Sequence, residues 1–136
     1  MPAAKSDRVV KLEVLVVEDH PFQLIAVEML LNQPGDIRLT QAMNAHEARQ
    51  ACREHQAPFD LLLCDQRLPD SYGLELLEEL FCHGHIHHGI ILSSATDDEL
   101  DQLADRAKSR RLPLLACLPK PLDLNQFKAL TAQLLG

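Results

Sequence analysis

One stretch constrains this chain more than any other: Phe59-Asp60-Leu61-Leu62-Leu63-Cys64-Asp65-Gln66-Arg67-Leu68-Pro69-Asp70. Leu61-Leu62-Leu63-Cys64 is a short apolar run with Pro58 before it and Pro69 after it. A run this brief, without polar alternation, reads as a strand buried on both faces. It ends in a carboxylate. An unpaired charge cannot sit inside such a sheet, so Asp65 marks the point where the strand emerges. Pro69 and Gly73 then turn the chain into a loop. An acid at the exit of a buried strand, ahead of a loop and a helix, is where open α/β folds place their chemistry. On this stretch alone, the plainer reading of Asp65 as a turn cap stays open.

The other segments repeat the pattern. Leu12–Val17 is a β-rich run ending in Glu18-Asp19, and His20-Pro21 follows. Pro21 suits a first helical turn. Phe22, Ile25, Ala26, Met29 and Leu30 recur at helical spacing and predict an amphipathic helix over Pro21–Asn32, stopped by Pro34-Gly35. Ile37–Ala42 is a second strand. Asn44 with Glu47 predicts a capped helix over Ala45–Glu54. A third helix is expected over residues 73–83, with Leu74, Leu77 and Phe81 on one face. Residues 89–93, containing Ile90-Ile91-Leu92, form a fourth buried strand ending in Ser93-Ser94. Thr96 and Glu99 open a helix with Leu100, Leu103, Ala104 and Ala107 inward. Residues 114–118 are a fifth strand, ending at Pro119-Lys120-Pro121. Asp123 and Gln126 cap a last helix with Phe127, Leu130 and Leu134 inward. Five strands alternating with five helices imply an α/β fold: a parallel sheet covered on both faces. Residues 1–10 read as a flexible N-terminus and 11–136 as one domain.

Composition narrows the function. A chain of 136 residues forms one ordinary domain. Twenty acids against 13 bases give a formal charge of −7, which argues against binding nucleic acid directly. No apolar stretch approaches the roughly 18–20 residues that span a bilayer, and the N-terminus lacks a signal-peptide core. A cytoplasmic location is expected, with Cys52, Cys64, Cys82 and Cys117 as reduced thiols.

In a parallel sheet the C-terminal strand ends share one edge. Four of them here carry polar groups: Glu18-Asp19, Asp65, Ser93-Ser94 and Lys120. Three carboxylates in one crevice repel one another, and a hard cation such as Mg²⁺ resolves this. Lys120 adds a compact positive charge and a serine adds a hydroxyl donor. That set can hold a phosphoryl group, with Asp65 as a nucleophile forming an acyl phosphate. Singly, Glu18 and Asp19 read as acids at a helix N-terminus, Ser94 as a turn residue and Lys120 as a surface charge. Their coincidence at four matching strand ends favours the joint reading.

Taken together, Val14-Leu15-Val16-Val17-Glu18-Asp19, Asp60-Leu61-Leu62-Leu63-Cys64-Asp65 with Leu68-Pro69-Asp70 and Gly73, Ile91-Leu92-Ser93-Ser94-Ala95 and Leu118-Pro119-Lys120-Pro121 resemble the receiver domains of two-component response regulators. The resemblance covers nearly the whole chain. It implies a flavodoxin-like, CheY-like fold with strand order 2-1-3-4-5. It implies Asp65 as phosphoacceptor, with Mg²⁺ bound by Asp19, by Asp65, by Glu18 partly through water, and by the backbone carbonyl of Arg67. Ser94 and Lys120 would hold the phosphoryl group. The implied partners are a sensor histidine kinase or histidine phosphotransfer protein and an output domain or downstream protein, with a homodimer as a further possibility. The chemistry would be self-modification rather than enzymatic turnover. The chain then reads as a stand-alone receiver or as one taken from a longer regulator. A weaker resemblance, in Ser93-Ser94 and the segment before Cys117, is to receivers attached to EAL-type cyclic-di-GMP phosphodiesterases.

One departure concerns signalling. The family carries an aromatic residue three positions before the fifth-strand Lys, and here that residue is Cys117. The expected route out of the site is therefore Ser94, residues 95–98 and the helix after them. Two other classes stay in view. A phosphohydrolase using an aspartyl phosphate would carry a second acid two residues after Asp65, where Arg67 stands. A receiver that docks partners without phosphorylation would not need the acid, hydroxyl and Lys set. The histidines within residues 82–88 read as a solvated connection rather than a metal site. Arg106, Lys108, Arg110 and Arg111 read as a helix end compensating its dipole, with a docking surface as the alternative.

Overall fold

In a computed structural model of the protein, residues 11–32 and 36–135 are described. The expected flexible N-terminus and the Pro34-Gly35 helix stop lie outside these residues. The element order is β1 (Leu12–Val17), α1 (Pro21–Asn32), β2 (Ile37–Ala42), α2 (Ala45–Glu54), β3 (Phe59–Asp65), α3 (Gly73–Cys82), β4 (Ile86–Ser93), α4 (Asp97–Ser109), β5 (Leu114–Pro119) and α5 (Leu124–Leu135). The five strands pair in parallel in the order β2-β1-β3-β4-β5, as expected. None of the described helices is long and apolar enough to cross a membrane.

Alternation along the strands divides the apolar residues between two cores. Leu15, Val17, Leu62, Cys64 and Ile91 face α2, α3 and α4. Val14, Val16, Leu61, Leu63, Ile90 and Leu92 face α1 and α5, against Leu24, Val27, Leu31 and Phe127. Both faces are covered, which is why these strands read as unbroken apolar runs. Each leucine so buried stabilises the fold by about 1.5–3 kcal/mol. Register brings the strand exits level: Val17 pairs with Cys64, Asp65 with Leu92, and Ser93 with Pro119.

Four expectations need correction. The stripe Phe22, Ile25, Ala26, Met29 and Leu30 is not the buried face of α1; Phe22 is 87% and Met29 66% exposed, while Leu24, Val27 and Leu31 are buried. The helix is apolar on two stripes, so spacing alone fits either; the packed one meets β1, β3 and Phe127. On α3, Leu76 and Leu80 are buried beside Leu74 and Leu77, and Phe81 is partly exposed. Ala104 is exposed on α4, which buries only Leu100, Leu103 and Ala107. Finally, β4 begins at Ile86, so His87 and His88 belong to a strand rather than a connection.

The caps read from sequence are formed. Asn44, Thr96 and Asp123 side chains accept from the backbone N–H of Glu47, Glu99 and Gln126. Helix α3 closes with Gly84 at φ 74°, its N–H bonded to the Phe81 carbonyl and that of His85 to Leu80. This is the left-handed helix stop that glycine suits. Arg110 bonds Glu75 at 2.9 Å and Glu78 at 3.2 Å, so this member of the basic cluster ties α4 to α3.

Candidate functional site

The site lies where β1, β3 and β5 end. Glu18 follows β1 directly, and its N–H donates to the Ala42 carbonyl at 3.0 Å, which extends the ladder one step. Asp65 is the last residue of β3. After it the chain folds back tightly. Leu68 N–H donates to Ser71 O, Gly73 N–H to Gln66 O at 2.8 Å, and Leu74 N–H to the Gln66 side chain at 3.0 Å. Arg67 pairs with Tyr72 in an isolated antiparallel bridge. Asp70 caps α2 from a distance, accepting from Ala45 N–H at 2.8 Å and His46 N–H at 3.0 Å. The Leu-Pro-Asp segment thus anchors the loop after Asp65 onto a neighbouring helix.

Lys120 organises the charges. Its Nζ lies 3.0 Å from Asp65 Oδ2 and 3.1 Å from Glu18 Oε1. It also donates to Gln23 Oε1 at 2.9 Å. Glu18 and Asp65 are both buried. Burial pushes the Asp65 carboxyl above its ordinary range, the Lys120 ammonium and the Arg67 backbone amide oppose this, and Glu18 adds to the rise. For Lys120, burial disfavours the charge, but Asp65 and Glu18 outweigh it, and its pKa is raised. The ammonium therefore persists at neutral pH.

Three carboxylates against one ammonium leave an excess of negative charge. Asp19 Oδ1 is buried and makes no hydrogen bond, although His20 Nδ1 stands 3.2 Å away. Glu18, Asp19, His20 and Asp65 offer donor atoms that all lie within 4.8 Å of one another. No other such group of His, Cys, Asp or Glu occurs among the described residues. An orphaned buried carboxylate oxygen beside two further carboxylates fits a hard divalent cation.

Glu18, Asp19, Asp65 and Lys120 are thus brought together. Ser94 is exposed just beyond β4, while its neighbour Ser93 is buried and accepts the Ala95 N–H at 3.0 Å. Arg67 is placed in the loop after Asp65, where its N–H favours the ionised carboxylate. Sequence reading missed Gln23 and His20. Gln23 leaves no signal, since a polar residue in a first helical turn is ordinary. The signal for His20 was its place directly after Glu18-Asp19. Cys117 is half-buried against the α2–α4 core, and burial pushes its thiol up to about 11. The His83 ring bonds the Glu79 carbonyl and the His87 and His88 side chains alternate along β4, so this run forms no convergent donor set.

A cleft of about 310 Å³ opens beside Lys120 and Glu18, lined by Gln23, Ala26, Val27 and Leu122. The exposed Phe22, Ile25 and Met29 belong to the same helix, α1.

Comparison with known proteins agrees with this fold. The family model for the response regulator receiver domain matches residues 14–132. The chain is 36% identical over 122 residues to the cyclic di-GMP phosphodiesterase RocR of Pseudomonas aeruginosa, covering 88% of this chain and 30% of RocR. It is 31% identical over 111 residues to the two-component response regulator ARR22 of Arabidopsis thaliana, covering 82% of this chain and 75% of ARR22. The response regulator protein PilR of P. aeruginosa is 32% identical over 120 residues, covering 87% of this chain and 25% of PilR. The chain thus spans under a third of RocR and PilR. Among solved structures, a response regulator receiver protein from Pseudomonas putida superposes with a TM-score of 0.72 at 25% identity, covering 91% of this chain and 98% of that one. The signal receiver domain of an HD domain-containing protein from Pseudomonas fluorescens gives 0.75 at 24% identity, covering 90% and 93%, and shows the shared fold. The chain belongs to the response regulator receiver domains of two-component systems, whose standard role is to accept a phosphoryl group.

Proposed function

We propose that Asp65 is the phosphoacceptor and that Mg²⁺ is held by Asp19, Asp65, the Arg67 carbonyl and, partly through water, Glu18. The contact between Lys120 Nζ and Asp65 Oδ2, beside the unbonded Asp19 oxygen, carries this reading. An Asp65 carboxylate oxygen attacks phosphorus on a phosphohistidine, a P–O bond forms, the P–N bond breaks, and the imidazole leaves with a proton. Bound Mg²⁺ would neutralise phosphoryl oxygens as charge shifts onto them. Lys120 remains cationic and passes from the carboxylate to the phosphoryl group. Ser94, exposed one residue beyond β4, would donate its hydroxyl to a phosphoryl oxygen.

The donor is a sensor histidine kinase or a histidine phosphotransfer protein, in the cytoplasm. The signal then leaves to an output domain or a downstream protein. RocR and PilR, of which this chain matches a minor part, support an output unit in a longer regulator; ARR22, matched over most of its length, supports a receiver working with little else. The test is phosphoryl uptake from acetyl phosphate with Mg²⁺ and with excess chelator. Uptake that needs the cation is expected. Uptake unaffected by the chelator would overturn the cation assignment.

A further inference from the structure

The acidic site contains one donor of a different kind. His20 is 63% exposed at its side chain, yet its ring nitrogen faces the carboxylates: Nδ1 lies 3.2 Å from Asp19 Oδ1 and donates a hydrogen bond to Glu18 Oε2 at 3.3 Å. Its backbone N–H also donates to Glu18 Oε2 at 3.2 Å, which fixes the residue over the site. We propose that His20 is a nitrogen ligand of this site, which therefore binds a late first-row divalent ion such as Zn²⁺ in a His20-dependent way that Mg²⁺ does not share. The inference rests on the reading of the acidic cluster as a cation site.

The spacing accommodates a shared ion, which would take the place of the Nδ1 proton now bonded to Glu18. Metal–ligand bonds of about 2.0–2.1 Å separate neighbouring donors by about 3.0 Å in an octahedral site and about 3.4 Å in a tetrahedral one. The two His20 separations fall between these values. The Asp19 oxygen lies within hydrogen-bonding distance of the ring nitrogen and still makes no hydrogen bond, which leaves it available to an ion that both atoms can reach.

Chemistry then sets the selectivity. Mg²⁺ prefers oxygen donors and keeps its waters, so an imidazole adds little to it. Zn²⁺, Ni²⁺ and Cu²⁺ take imidazole readily. Such an ion would occupy the same carboxylate oxygens as Mg²⁺ and compete with it, making phosphoryl acceptance sensitive to transition metals. The histidines after α3, in contrast, provide no group of three converging donors among the described residues.

The experiment is a pair of titrations of the full chain, with Zn²⁺ and with Mg²⁺, followed by residue-resolved amide NMR on wild type and His20→Ala. Site signals from Asp19 and Gln66 separate binding there from adventitious binding at His87 and His88. Loss of a residue behind a ligand already costs about 10–100-fold in metal affinity, so His20→Ala should weaken Zn²⁺ at the site by about tenfold or more. Mg²⁺ affinity should fall by much less than Zn²⁺ affinity, because an imidazole adds little to an ion that prefers oxygen donors. An unchanged Zn²⁺ affinity in His20→Ala, an equal loss for both ions, or Zn²⁺ effects confined to His87 and His88 would overturn the proposal while leaving the Mg²⁺ site standing. A wild-type chain that shows no Mg²⁺ response at Asp19 would instead overturn the cation site on which it rests.

Discussion

Gly73 approaches Asp65 so closely that a Cβ built on it would stand 2.6 Å from the Asp65 carbonyl oxygen and 3.1 Å from the Gln66 Cα. The start of α3 is thus pressed against the end of β3, and the lack of a side chain permits it. Backbone cannot swing aside as a side chain can. Gly73→Ala should destabilise the protein by about 1–3 kcal/mol and slow phosphoryl uptake at Asp65. At Gly89 a Cβ would meet Leu77 Cδ1 at 2.5 Å, the end of a side chain. Gly89→Ala should therefore cost less. Urea unfolding of both variants checks the order, and equal costs would contradict it.

Helix α4 ends with Arg111 at φ 56°. The bonds Arg111 N–H to Lys108 O and Leu112 N–H to Ala107 O make this a left-handed stop like that at Gly84, but with a side chain in place. The left-handed conformation costs a non-glycine residue about 1–2 kcal/mol, and glycine's extra unfolded-state freedom gives back about 0.5–1 kcal/mol. Arg111→Gly should stabilise by roughly 0.5–1 kcal/mol, raising the urea midpoint. A lowered midpoint would show that the Arg111 side chain contributes more than the strain removes.

Asp65 should also mark the pH dependence of stability without metal. Burial, opposed by Lys120, raises its folded pKa above the ordinary 3.8. The fold thus favours the protonated acid. Its contribution is fully present below 3.8 and is lost as pH rises through the raised folded value. Asp65→Asn lacks this loss. In chelator, the stability of Asp65→Asn relative to wild type should grow as pH rises from acid toward neutral. Urea unfolding over a pH series checks this, and a constant difference would contradict it.

The route of the signal is expected to run through Ser94 and α4. Cys117 is much smaller than the aromatic ring whose place it takes and cannot fill the same space. Helix α4 buries only Leu100, Leu103 and Ala107, so rearranging it disrupts few apolar contacts. Hydrogen exchange with and without beryllofluoride, a phosphoryl mimic, should change protection over residues 95–109. Changes confined to β5 would contradict this route.

Much of this was legible in the sequence, for identifiable reasons. Buried parallel strands are nearly all apolar, so a terminal Asp65 or Glu18 stands out against Leu61-Leu62-Leu63-Cys64 or Val14-Leu15-Val16-Val17. Topology then brings the strand exits to one edge and makes Lys120 the partner of Asp65. The helix caps at Asn44, Thr96 and Asp123 were readable because each is a local side chain-to-backbone bond. The buried face of α1 was not, because Phe22-Gln23-Leu24-Ile25-Ala26-Val27 offers two apolar stripes, and only the packed sheet selects Leu24 and Val27. The long-range cap of α2 by Asp70 and the donation from Lys120 to Gln23 were equally hidden, since no spacing rule links them. The start of β4 at Ile86 was obscured by His87 and His88, polar residues at the solvent-facing end of a strand whose other end is buried.

The most direct test is the intact mass of wild type and Asp65→Asn after incubation with acetyl phosphate and Mg²⁺. A single phosphoryl increment on wild type and none on Asp65→Asn is the expected result. An increment that persists undiminished in Asp65→Asn would contradict the assignment of Asp65 as the phosphoacceptor.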